Sequence, residues 1–309
     1  SDLLYLVGML AVVPGGAALA AGVLGAGVAM ATAGLLGLGI AGLALAGASA
    51  LQRRADTPTW GWRGPGPIAI FLATLPWSVV APVPLLLVLD LLGVRASLPP
   101  AFSTLLQALL SNLAVVGVIA VTVVGTGAAT WRDLVLPTAA ASPPHLARPD
   151  RRGGLVGDAA WGSIAAVPVL GAAAVAANLL AGATGAVPPS PLPPSDVVGA
   201  LLANALTAGL VAPIGEELLY RGVVAQAWCR QRGARRGVLY SALLFAVVHT
   251  LALGGTSLGN GILVAAVAFA TRLPIGFALG WLWVRRRSLL AVVVLHAAYN
   301  LALVAAAMR

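Results

Sequence analysis

Long apolar stretches follow one another along this chain, and short segments between them hold most of the charge and much of the proline. Most of these stretches reach the ~20 residues that a helix needs to cross a bilayer. The pattern predicts nine spans, at about 3–24, 27–51, 67–92, 102–128, 155–182, 197–229, 237–253, 260–284 and 289–307. The expected fold is all-α, a polytopic transmembrane helix bundle of about nine spans, with eight to ten compatible with the pattern. Residues 3–51 carry no charge at all. That run is far longer than the apolar part of a signal peptide and lacks its preceding basic segment, so it reads as two helices and a tight turn. Pro76, Pro82 and Pro84 are expected to kink the third span, which is tolerated where neighbours satisfy the freed carbonyls.

The segments between spans alternate in charge. Fourteen of the 18 basic residues, all of them Arg, fall in one alternate set of loops: 53–63, 132–152, 230–236 and 285–287. The other set holds Arg95, with Arg309 at the C-terminal end. By the positive-inside rule this predicts an N-in, C-out topology. The Pro-rich stretch 183–196 reads as a stiff extracytoplasmic connector. Residues 137–154, with His145 as a solvated loop residue, read as a cytoplasmic linker. They would separate an N-terminal part of about four helices, 1–136, from a core of about five spans, 155–309.

Composition narrows the function classes. Sixty per cent of the 309 residues are apolar and 9% are charged, against roughly a quarter charged in soluble domains; mean hydropathy is +0.98. The net charge of +9 would suit nucleic acid, but its location at helix ends points to a membrane and not to nucleic acid. An Arg-only, Ala/Gly/Val/Leu-rich chain suggests a GC-rich bacterial genome, hence the bacterial cytoplasmic (inner) membrane. Cys229 is the only cysteine, so neither an intrachain disulfide nor a Cys-based metal site is expected.

Rarity locates the chemistry. The chain has two Glu, adjacent at 216 and 217, and three His, of which His249 and His296 lie inside apolar spans. Ionisable groups at membrane depth are expensive and default to a functional reading. Counted from the nearest Arg clusters, Glu216, His249 and Asn300 lie roughly 20 Å deep and His296 roughly 14 Å. Glu217 and Arg221 are i and i+4, share a face and can pair. Glu216 is about 100° away and is left for another partner. His296 and Asn300 are likewise i and i+4, and Phe245 sits one turn from His249, where it can pack beside the ring and limit water. Structural readings compete at each position: a packing ion pair for Glu217–Arg221, interhelical donors for the two His, and interhelical glue for Asn300.

These residues also carry a resemblance. The run from Glu216 to Arg221 fits an EExxxR motif, Phe245 to His249 an FxxxH motif, and His296 to Asn300 an HxxxN motif. In order and spacing they resemble the CAAX-protease and bacteriocin-processing (CPBP, or Abi) intramembrane proteases, over roughly residues 200–305. The resemblance implies an intramembrane endopeptidase that hydrolyses a peptide bond in a membrane-associated peptide or protein, near the cytoplasmic side. It implies Glu216 as general base, His249 as a second holder of the water, and His296 and Asn300 as oxyanion donors, with Glu217 in the catalytic set. Arg221 and Phe245 take supporting roles. A metal-free glutamate mechanism is favoured; zinc held by Glu216, His249 and His296 is the alternative. Bacteria generally lack prenylated CAAX proteins, so the resemblance names no substrate.

Arg272 stands outside those motifs. Arg272-Leu273-Pro274 reads as a helix break lined by protein or water, or Arg272 offsets the Glu pair or receives a substrate carboxylate. Gly276 and Gly280 form a GxxxG expected to let their helix pack closely on a neighbour. Two other function classes are compatible with the sequence: a non-catalytic Abi-like scaffold or immunity protein, and a proton-coupled transporter. The first four spans could also bind a protein partner.

Overall fold

The computed structural model describes residues 2–22, 27–57, 61–137, 154–190, 192–194, 197–250 and 257–306, and every regular element among them is helical. Among the described residues eight helices are long and apolar enough to cross a membrane: Asp2–Ala21, Ala29–Asp56, Pro67–Leu91, Pro100–Val124, Gly154–Thr184, Val198–Arg232, Gly259–Arg286 and Leu289–Ala306. The protein is thus a multi-pass membrane protein by helix length and hydropathy. The seventh predicted span, 237–253, overlaps a shorter helix of 15 residues, Ala234–Val248; residues 251–256 lie outside the described set. So do residues 138–153, which make up nearly all of the predicted linker, including His145.

The chain divides into two compact units, Ser1–Leu134 and Val135–Arg309. In the first, α1 (Asp2–Ala21) and α2 (Val28–Asp56) pack along each other, α2 packs on α3 (Pro67–Val80), and α3 on α6 (Pro100–Ile119). The third predicted span is interrupted at Ala81-Pro82 and resumes as α4 (Val83–Leu91), followed by the short α5 (Val94–Ser97). Pro76 stays inside α3. After α6 the helix widens into a π segment, Ala120–Val124. The unit closes with α7 (Trp131–Val135), where the Thr130 hydroxyl accepts from Asp133 N while the Asp133 carboxylate accepts from Thr130 N, a reciprocal cap.

The second unit begins with α8 (Gly154–Thr184), which packs on two later helices, α13 (Leu258–Arg286) and α14 (Leu289–Ala306). Its buried positions are mostly small or polar (Asp158, Gly162, Ala166 and Ala173, with Val169), and most of its large apolar residues, such as Val156, Ile164, Val167 and Leu179, are exposed. Small residues inside and large apolar residues outside is the pattern of a helix whose outer face meets lipid. At Gly162 a β-carbon would lie 2.6 Å from Ala291 O and 2.9 Å from Val294 Cβ on α14, so glycine sets this helix separation. Asp158, the only charged residue in α8, is buried and takes Arg286 Nε at 2.9 Å and Nη2 at 2.8 Å on Oδ1.

The remaining helices form one long span and its return. The span comprises α9 (Val198–Leu206), a π segment Thr207–Val211, α10 (Ala212–Glu217), a second π segment Leu218–Ala225, and α11 (Gln226–Arg232). Gly233, at φ 84°, turns the chain directly into α12 (Ala234–Val248). Ser257 caps α13 by accepting from Asn260 N. α13 runs unbroken through Pro274 to Arg286, which corrects the expected break at Arg272-Pro274: the chain here is continuous helix. The neighbour fitted by the GxxxG is α12, since β-carbons at Gly276 and Gly280 would lie 3.1 Å from Ala242 O and from Val238 Cγ1. At Arg287 the backbone adopts φ 49°, the only positive φ of a non-glycine residue among those described, and ends α13.

The α8–α14 separation makes a prediction. Gly162→Ala forces α8 and α14 apart and lowers the thermal unfolding temperature in detergent, by the ~1–3 kcal/mol typical of overpacking. Gly171→Ala, on the same helix with nothing within 4 Å of the new methyl, is neutral or slightly stabilising. Equal behaviour of the two variants would contradict this packing.

Candidate functional site

Four elements of the second unit supply the site: the long span around Glu216-Glu217, α12, α13 and α14. Glu217 is fully buried. A buried carboxylate in an apolar bundle requires partners, because desolvation alone would be prohibitive. Its Oε1 takes both: Arg221 Nη1 at 3.1 Å and His296 Nδ1 at 2.8 Å. Arg221, also fully buried, donates its Nη2 to Gly276 O on α13 at 3.2 Å. One carboxylate and one guanidinium thus link the long span to both α13 and α14.

Glu216, the adjacent residue, is in a different environment. Its side chain is 31% exposed and faces His249, 26% exposed, with Oε2 to Nε2 at 3.7 Å. His249 closes α12, and its Nδ1 lies 2.7 Å from Phe245 O. A carbonyl only accepts, so Nδ1 carries the proton, and in the neutral ring Nε2 is a lone pair. Glu216 Oε2 and His249 Nε2 are then two acceptors side by side, beyond hydrogen-bonding distance of each other. Both can accept from one water molecule, which leaves that water's lone pairs pointing away from them.

Phe245 separates and connects these pairs. Buried in the bundle, it lies 4.3 Å from the His249 ring and edge-on to His296 at 5.7 Å and to Tyr220 at 5.3 Å. The Arg221 guanidinium sits 4.7 Å from its centroid, a desolvated cation–π contact. One aromatic ring therefore touches both imidazoles and the buried cation.

Asn300 is held elsewhere. Its Nδ2 donates to Ala208 O at 2.9 Å. The local backbone explains why that carbonyl is free. Within the π segment, Ala212 N reaches back to Thr207 O, and the donor next in line for Ala208 O is Pro213, which has no N–H. Asn300 supplies the missing donor and keeps its second N–H. Gly209 makes room for α14, since a β-carbon there would lie 2.7–3.1 Å from Leu301 side-chain atoms.

The predicted residues therefore gather as two carboxylate–imidazole pairs, Glu216 with His249 and Glu217 with His296, joined through Phe245. Arg221 belongs to the second pair, and Asn300 lies one turn beyond His296 on α14. Among the described residues no group of three or more His, Cys, Asp or Glu is placed to hold a metal ion. Glu216, His249 and His296 do not form such a group. Sequence reasoning passed over Tyr220, which packs on Phe245, and the Asp158–Arg286 pair below the site. Asp158 had a signal: a lone charge in an otherwise uncharged 31-residue helix.

The segment holding these residues, 198–302, matches the family model described as Rce1-like type II CAAX prenyl endopeptidase. That segment belongs to this family. The match covers about a third of the chain and takes in α9 to most of α14, so both pairs of the Rce1-like segment lie inside it, with Arg221, Phe245, Arg272 and Asn300. No curated protein matched the chain in the comparison, and no solved structure did.

The buried pair carries its own prediction. Glu217→Gln and Arg221→Gln each leave an uncompensated buried charge, and each should cost about 3–5 kcal/mol of stability. The double variant should cost less than the sum of the two, since its neutral amides need no counter-ion. Additive losses in detergent unfolding would show that the two side chains do not act as a pair.

Proposed function

We propose that this protein is an intramembrane endopeptidase that hydrolyses a peptide bond in a membrane-associated peptide or protein, with Glu216 as the base that activates water. The observation that carries this reading is the pair of facing acceptors, Glu216 Oε2 and His249 Nε2, 3.7 Å apart on two partly exposed side chains. The family of the surrounding segment supports it.

In this reading a water donates one proton to Glu216 and one to His249, each at roughly 2.8 Å. Its oxygen attacks the scissile carbonyl carbon as Glu216 takes a proton. The carbonyl oxygen becomes an oxyanion, stabilised by hydrogen bonds from His296 Nε2 and the second N–H of Asn300. His296 donates from Nε2 only as the doubly protonated ring, and Glu217 at 2.8 Å is the counter-ion such a ring needs. Glu216 then passes its proton to the departing amine nitrogen as the C–N bond breaks. Glu217 acts as a positioning residue in this scheme, through His296 and Arg221. Phe245 keeps water from the space between the pairs.

We assign this chemistry to a core of residues 155–309 in a bacterial cytoplasmic membrane, with the N-terminus inside and the site nearer the cytoplasmic face. Substrates consistent with it include a precursor of an exported peptide, a bacteriocin, or a regulator's membrane segment.

The test compares membrane peptidomes of cells making wild type or Glu216→Gln at equal abundance, followed by the purified pair on any peptide that differs. Cleavage should fall by about 10²–10⁴-fold, the usual contribution of a general base, with unchanged unfolding temperature and no effect of a chelator. Chelator-sensitive cleavage would point to a metal. A fully functional Glu216→Gln protein would favour a scaffold, and substrate flux driven by a proton gradient would favour a transporter.

A further inference from the structure

Three arginines of the first unit gather where three of its spans, Ala29–Asp56, Pro67–Leu91 and Pro100–Val124, come to an end. Arg54, in the last turn of α2, donates Nη1 to Thr126 O, just past the π segment, at 2.7 Å. Arg63, in the segment that leads into α3, donates Nη2 to Arg54 O at 2.6 Å. Arg53 Nη2 lies 3.7 Å from where a β-carbon would stand on Gly66, the residue before α3.

The surroundings hold these side chains in place. Gly127, at φ 69°, clears the space for Arg54: a β-carbon there would lie 2.8 Å from Nη1 and 3.2 Å from Cζ. Trp62 is buried and donates Nε1 to Pro65 O at 2.7 Å, and a β-carbon on Gly64 would meet its indole at 2.6 Å. Segment 61–66 is therefore braced from within. Arginines at a membrane boundary ordinarily keep a free head in water. Here two of three are tied to carbonyls by short hydrogen bonds.

The charges at this corner do not balance. Among the described residues none of the three side chains forms an ion pair, and Arg63 Nε is buried without a partner. Asp133 is engaged with Thr130 at the cap of α7. Asp56, two residues past Arg54, could offset one cation at most. Two helix C-termini offset about half a charge each. About one positive charge is left over. Membrane spans end at the level of the lipid headgroups, where the abundant anion is a phosphodiester. It carries one negative charge, and its two unesterified oxygens match the edge of a guanidinium.

We propose that Arg53, Arg54 and Arg63 form a binding site for a phosphate group, supplied by the headgroup of an anionic phospholipid at this edge of the N-terminal unit. Basic pockets between membrane helices hold anionic headgroups in this way. Inorganic phosphate shares the chemistry and is the competing source. The site stands apart from the peptidase reading and holds with or without it.

The experiment places the full chain in nanodiscs of phosphatidylcholine and phosphatidylglycerol and weighs the retained lipids by native mass spectrometry. Wild type should retain phosphatidylglycerol over phosphatidylcholine by at least about tenfold, as expected for a charge-assisted contact. The double variant Arg54→Gln/Arg63→Gln should lose most of that preference. Arg53→Gln, which removes no hydrogen bond seen among the described residues, should lose part of it. Arg132→Gln, at an exposed arginine of α7, should leave it intact. Equal retention of the two lipids by wild type overturns the proposal. So does a preference that survives the double variant, or one that falls as far with Arg132→Gln. Should the double variant fail to fold, Arg53→Gln against Arg132→Gln decides. Stabilisation of wild type by inorganic phosphate, with none from phosphatidylglycerol, overturns the assignment to a lipid.

Discussion

A carboxylate with no access to water must be surrounded by donors, and in this protein that requirement at Glu217 organises the core. One oxygen of Glu217 gathers Arg221 from the next turn and His296 from α14. Arg221 in turn reaches a carbonyl of α13 and lies over Phe245 of α12. Four helices are thus tied to a single anion. The tie demands short interhelical distances, which glycines provide at 162, 209, 276 and 280. Breaking one member of such a network is far worse than never having built it, since a buried charge without a partner is the most unfavourable outcome.

The same arrangement divides two adjacent residues into separate roles. Helical geometry turns Glu216 about 100° from Glu217, toward His249 and partial exposure. Glu217 is immobilised and spends its charge on structure, whereas Glu216 keeps an oxygen facing a second acceptor. A rigid pair behind a partly exposed pair is the arrangement expected of a preorganised site, where side-chain positions are fixed by packing before a substrate arrives.

Much of this was legible in the sequence, for physical reasons. Membrane helices must satisfy their backbone internally, so long apolar stretches translate directly into helices. In so apolar a chain, two Glu and two intramembrane His stand out, and the i,i+4 spacing of Glu217 and Arg221 anticipates their contact. Backbone detail was not legible. Nothing in a hydrophobic pattern distinguishes the π segments at 207–211 and 218–225 from α-helix. The partner of Asn300 is a backbone carbonyl, hence invisible to side-chain pattern reading. Spacing also suggested that His296 and Asn300 address one spot, whereas each is first committed elsewhere, to Glu217 and to Ala208 O. At Pro274 the sequence suggested interruption, but a proline in a well-packed membrane helix removes one hydrogen bond without ending the helix.

The most direct test of this division between neighbours is carboxyl labelling of the folded protein with a carbodiimide and a small amine, read residue by residue by fragmentation mass spectrometry. The account predicts label on Glu216, 31% exposed, and none on Glu217, fully buried, with both labelled after unfolding. Equal labelling of the two in the folded state, or labelling of Glu217 first, would contradict it.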